Sequence, residues 1–166
     1  VDKRLFGKPT SLDPDEFREM ADHTVVGHEI VSGVHFPWPG IPEIVRSHHE
    51  RADGSGYPDG LLLDDVPLHV RIVGLADTFD AMTSERPYRE PLSLGGTLSE
   101  IVRMTPQKYD PTAVQALLLQ IRRDAVGSNR IPFLEERIGT HIAPTDVDHL
   151  AAMLQHKISR GRLYLT

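Results

Sequence analysis

Apolar positions along this chain recur at helical spacing in one segment after another, and no stretch alternates in the way a half-buried strand requires. Phe17, Met20, Ala21, Thr24, Gly27, Ile30, Val31 and Val34 trace a single stripe. Its start is punctuated by Asp13 as N-cap, Pro14 at the first helical position, and Asp15 and Glu16 next, which is the pattern of a capping box with acids at the positive end of the helix dipole. Phe36-Pro37-Trp38-Pro39-Gly40 must end that helix. A second, shorter stripe begins near Pro42 and comprises Ile41, Ile44, Val45, His48 and His49. Beyond Pro67 the spacing predicts a helix over 68–83, with Ile72, Leu75, Ala76, Phe79 and Met82 on its buried face. Leu94 to Met104 follows, with Leu98, Ile101 and Val102 inward; then Pro111 to Arg123, opened by Asp110-Pro111, burying Val114, Leu117, Leu118 and Ile121. Residues 127–144 read as mixed and loop-like. Thr145 is the expected N-cap of a last helix, with Asp148 at N3 and a stripe of Val147, Leu150, Ala151, Leu154 and Ile158 that packs on the core or on a partner. The predicted fold class is all-α.

Two histidines occupy places where a plain amphipathic helix would carry Leu or Val. One histidine there is ordinarily a core residue bonded to a carbonyl. Two side by side, about 100° apart on one helix, each need a buried partner, and a metal ion satisfies both at once. The turn that follows, Asp53-Gly54-Ser55-Gly56, can expose backbone N–H groups, and Tyr57-Pro58 sets an extended exit. Asp77 lies beside the buried stripe of the 68–83 helix, where a carboxylate is costly unless paired or bound to metal. Arg86 and Arg89 flank a stiff proline, a spacing that suits an anion but also ordinary surface ion pairs. His23, at the edge of the first stripe, reads by itself as a surface or core histidine, and His149 and His156 fall off the last stripe and read as solvated.

Composition narrows the chemistry. The 166 residues are 39% hydrophobic and 25% charged, as in a folded soluble domain, and no apolar run approaches the length of a membrane span. With no cysteine, disulfides and thiolate ligands are excluded, leaving nine histidines and 24 acids for a hard or borderline metal. A net charge of -6 argues against general nucleic-acid binding, and a cytoplasmic setting is the default expectation.

His48-His49-Glu50-Arg51 followed by Asp53-Gly54-Ser55-Gly56-Tyr57-Pro58 and Gly60-Leu61 resembles the signature of the HD-GYP family of bacterial cyclic dinucleotide phosphodiesterases. Val66-Pro67-Leu68, Arg71-Ile72-Val73, Ala76-Asp77, Phe79-Asp80-Ala81-Met82-Thr83 and Arg86-Pro87-Tyr88-Arg89 fit its later blocks, and Lys8-Pro9, Leu12, Glu16-Phe17, Met20 and His23 fit the run before. The likeness covers about Val1 to Ile121. It implies an HD-superfamily-like helical bundle over residues 1–125, with a C-terminal extension over 126–166 made of a loop and an amphipathic helix.

Residue by residue, the resemblance implies that His23, His48, His49 and Asp77 ligate metal, and that Gly56, Tyr57, Arg86 and Arg89 contact the dinucleotide. The implied cofactors are divalent ions, iron or manganese, two or three per complete site. The implied reaction is hydrolysis of cyclic di-GMP to pGpG, GMP or both. A diguanylate cyclase domain, or an upstream sensor or receiver domain, is the implied partner. The family's His-Asp dyad and lysine would sit upstream of Val1, so no catalytic residue is assigned within this chain. It is expected to be a fragment of a longer phosphodiesterase; the alternatives are an inactive module that binds cyclic di-GMP or a protein, and a general HD-superfamily phosphohydrolase.

Overall fold

The computed structural model describes residues 5, 8, 10–85, 90–126 and 142–162, with 161 and 162 as backbone only. Within these the chain is helical: α1 (Pro14–Ser32), α2 (Ile41–Ser47), a 3-10 turn at Leu63–Asp65, α3 (Leu68–Thr83), α4 (Leu94–Met104), α5 (Pro111–Val126) and α6 (Pro144–Arg162). No strand occurs among the described residues; the nearest thing is one antiparallel bridge between Asp53 and Leu62 that closes the glycine-rich loop. The expected all-α class holds. Two compact units divide the chain, residues 1–77 with 85–90, and residues 78–84 with 91–166, and α3 contributes to both.

In the first unit α1 begins as its sequence demands. The Asp13 carboxylate accepts the N–H groups of Asp15 and Glu16, each at 2.9 Å, and the Glu16 carboxylate accepts the Asp13 N–H in return. Lys8 pairs with the same Glu16 carboxylate. Helix α1 packs on α2 where Gly27 faces Val45; a β-carbon at Gly27 would lie 2.9 Å from the Val45 methyl. The stripe expected along α1 is buried only in part. Thr24 is fully buried, with its hydroxyl donating to the Ala21 carbonyl, while Phe17, Ile30 and Val34 are exposed. Helix length explains this: seven residues of α2 extend about 10 Å at 1.5 Å per residue, against about 28 Å for the 19 residues of α1.

Helix α2 is also shorter than expected. It ends at Ser47, and His48 is its C-cap, donating its N–H to the Ile44 carbonyl; His49 lies beyond the helix. Helix α3 has the predicted bounds and buries Leu75 and Phe79 as expected, but its buried face is shifted. Val70, Leu75 and Phe79 are buried, whereas Ile72 and Ala76 are exposed. Gly74 is the reason: its bare backbone sits against the His48 carbonyl, so the helix is rotated toward a position that hydrophobic periodicity counts as blank.

The second unit holds the larger apolar core. Leu98, Ile101 and Val102 of α4, Val114, Leu118 and Ile121 of α5, and Val147, Leu150 and Leu154 of α6 are all buried, so the last helix packs on α4 and α5. Ser93 caps α4 by accepting the Gly96 N–H at 3.1 Å. At the other end the Lys157 ammonium, reaching from α6, donates to the carbonyls of Val102, Arg103 and Thr105 at 2.8, 2.6 and 2.7 Å. Helix α6 starts two residues earlier than expected. Asp146 and Val147 donate to the Ala143 carbonyl, so Pro144 takes the first helical position and Thr145 lies inside the helix rather than capping it. His149 and His156 are exposed.

Candidate metal centre

The centre is assembled in the first unit from three places in the chain. Helix α1 carries His23, the end of α2 carries His48, and the turn after it carries His49; one nitrogen from each ring lies within 4.8 Å of the others. The ring centroids of His48 and His49 are 4.0 Å apart, and His23 stands edge-on to both at 5.5 and 5.1 Å. The rings of His48 and His49 are tilted by 40° to each other, His48 at the cap of α2 and His49 just beyond it.

Carbonyl groups decide which nitrogens face the cluster. The Nδ1–H of His23 donates to the Met20 carbonyl at 2.7 Å, and the Nδ1–H of His48 is shared between the carbonyls of Ile44 and Val45 at 3.0 and 3.1 Å. A carbonyl can only accept, so each ring carries a proton on Nδ1, and Nε2 is the nitrogen it can offer to an ion. This is the outer support that orients metal-binding histidines. The Nδ1 of His49 lies 3.8 Å from the Asp77 carboxylate of α3, itself about half exposed. Burial, reinforced by His48, His23 and Arg51 nearby, pushes the His49 imidazole down to about 3, so it stays neutral. Three imidazoles beside a carboxylate form an N/O donor set that fits a borderline divalent ion.

Tyr57 covers one side of the cluster. Its ring lies 4.7 Å from that of His49 and 5.5 Å from that of Phe17, and its N–H reaches the His49 carbonyl at 3.4 Å. Burial raises the phenol to about 12, so it remains a protonated hydroxyl. Gly56 lets the loop lie flat on the chain that precedes it, since a β-carbon there would overlap the backbone of Glu50 and Arg51. Arg86 and Arg89, expected to meet the anion, lie outside the described residues.

Two features of the loop carry no periodic signal in the sequence. Glu50 is buried, and its carboxylate accepts the N–H groups of Asp59, Gly60 and Leu61 at 2.8, 3.1 and 2.9 Å. Arg46 of α2 holds Asp59 through a two-point fork at 2.8 and 2.7 Å. The only hint of Glu50 in the sequence is an acid set between an apolar helix and a glycine-rich turn, where backbone N–H groups are plentiful.

Comparison with known proteins agrees with this geometry. The family model described as "HD domain" matches residues 4–113, 110 of the 166. A cyclic di-GMP phosphodiesterase of Thermotoga maritima is 42% identical over 71% of this chain and 32% of its own length. The cyclic di-GMP phosphodiesterase response regulator RpfG of Xanthomonas campestris is 41% identical over 67% of this chain and 30% of its own. A 3'3'-cGAMP-specific phosphodiesterase 2 of Vibrio cholerae is 36% identical over 69% of this chain and 22% of its own. The chain thus spans a third or less of the length of these relatives. Members of the matched family bind divalent metal ions, and the donor set described above suits one. No helix among the described residues is long and apolar enough to cross a membrane. Matched over most of its length, with the paired-histidine turn folded onto a third histidine, the chain belongs to the HD domain family and to its HD-GYP group.

Proposed function

We propose that the protein carrying this chain is a metal-dependent phosphodiesterase that hydrolyses cyclic di-GMP to pGpG, to GMP, or to both. The observation that carries the reading is the convergence of His23, His48 and His49, two of them with the proton fixed on Nδ1, beside Asp77 and beneath Tyr57. In this reading these three histidines and Asp77 hold divalent iron or manganese, and residues 1–125 form the phosphohydrolase domain. When bound, the ions supply Lewis-acid activation of water and of the scissile phosphodiester. His23 and His48 present Nε2, their carbonyl partners holding each ring in place. Tyr57, held protonated, donates its hydroxyl to a phosphate oxygen and offers its ring to a base, and Gly56, whose bare backbone lets the loop lie against Glu50 and Arg51, contacts the dinucleotide beside it. Arg86 and Arg89 neutralise phosphate charge, and a diguanylate cyclase domain or an upstream sensor or receiver domain is the partner.

The test is metal content and hydrolysis of cyclic di-GMP, measured on this chain beside a version extended upstream. We expect the extended protein to hold at least two Fe or Mn and to produce pGpG. A metal-loaded protein that does not cleave cyclic di-GMP refutes the reading. Because one relative is specific for 3'3'-cGAMP, that dinucleotide belongs in the same assay. Faster turnover of it would reassign the substrate without moving the centre.

A further inference from the structure

Glu50 sits directly after the histidine pair. It is 7% exposed, and its carboxylate accepts hydrogen bonds from the far end of the loop that carries Tyr57. Two successive N–H groups, of Asp59 and Gly60, converge on one carboxylate oxygen, and that of Leu61 meets the other. Gly60 makes this possible: at φ +66 it turns the chain so that successive amides form a concave anion-binding nest. Such a nest commonly receives a phosphate or other external anion. Here the chain fills it with its own carboxylate, so the loop exit is tied to the residue next to His49. The Arg46 fork on Asp59 secures the same segment from α2. Two residues before the segment these two anchors hold, Tyr57 lies against His49, with its own N–H on the His49 carbonyl.

From this geometry we infer that Glu50 is a positioning residue for the dinucleotide: it touches neither ligand nor metal, but sets the place of Tyr57 over the histidine cluster. The inference rests on the proposed function and adds a residue to it. Removing the carboxylate's second acceptor frees the loop exit and moves Tyr57, while the ring carbonyl bonds of His23 and His48 stay intact. Substrate affinity therefore falls, and metal content does not.

The experiment uses the intact, manganese-loaded protein as wild type, Glu50→Gln and Arg46→Met. Gln keeps one acceptor oxygen but turns an amide NH2 toward a backbone donor, so part of the nest is lost. In the wild type, amide exchange at Asp59, Gly60 and Leu61 should be slow for a loop. In Glu50→Gln these amides should lose protection while α1 keeps its own, KM for cyclic di-GMP should rise about tenfold, and kcat should stay within about threefold. Arg46→Met should shift KM in the same direction by a smaller factor, and it serves as the test if Glu50→Gln does not fold. The inference is overturned if wild-type Asp59–Leu61 amides exchange at unprotected rates. It is equally overturned if a folded Glu50→Gln changes KM by less than twofold, or if its loss is in kcat or metal content instead. Should Glu50→Gln not fold, an unchanged KM in Arg46→Met overturns it too. A wild type that holds manganese and neither binds nor cleaves the dinucleotide fails at an earlier step and overturns the functional reading, and this inference with it.

Discussion

Replacing Gly74 with alanine puts two opposing effects on one helix. In an ordinary helix interior the change is favourable, because alanine is worth about 0.8–1.0 kcal/mol over glycine in helix propensity. At Gly74 the new methyl would fall well inside 3.0 Å of the His48 carbonyl oxygen, a backbone atom that cannot rotate away. Ordinary C···O contacts begin near about 3.3 Å, so α3 and the histidine turn must part by nearly 1 Å. Overpacking of that kind costs about 1–3 kcal/mol, and a backbone-on-backbone clash belongs at the upper end. The net loss is then about 1–2 kcal/mol, which for a chain of this size lowers Tm by about 2–8 °C. The same displacement pulls Asp77, one turn further along α3, from its place 3.8 Å from His49, so metal affinity falls as well. Thermal unfolding and metal titration of Gly74→Ala measure both effects. Gly95→Ala is the control: its nearest neighbour is the Ile142 methyl at 4.0 Å, so propensity alone acts, with a gain of up to about 1 kcal/mol. If Gly74→Ala is as stable as the parent and binds metal equally well, the close approach of α3 to His48 is not what places the histidine pair.

Three further outcomes are expected. His48→Ala and His49→Ala should each abolish stoichiometric metal binding, measured by elemental analysis, and Asp77→Asn should weaken it while the fold persists. Stability of the metal-free protein should fall as pH drops from 6.5: the unfolded chain protonates His49 near 6.5 and the native state only near about 3, so acid favours unfolding throughout that window. Tm against pH should show this above about pH 5, before carboxylates titrate, and His49→Leu should flatten the slope. Lys157→Met should destabilise the protein by about 1–3 kcal/mol in denaturant unfolding, since three carbonyls at the end of α4 lose their donor.

Local chemistry was legible wherever it is written in neighbouring residues. Asp13 through Glu16 specify a capping box, Pro67 and the apolar period specify α3, and α4 occupies its expected residues, because caps and periodicity act within one or two turns. The histidine pair, with no cysteine in the chain, pointed to a nitrogen-and-oxygen metal site, Asp77 was a candidate from its place beside a buried stripe, and the resemblance added His23. The rest belongs to tertiary structure. Gly74 rotates α3 because contact between backbones has no hydrophobic signature. His48 and His49 come within 4.0 Å at the end of α2, one as its cap and one beyond it, where periodicity had placed both inside the helix. Glu50 finds its partners nine to eleven residues away. Sequence alone determined which groups are present and which helices carry them. Only packing decided which lone pairs face one another, because a ring's proton is placed by the particular carbonyl that accepts it.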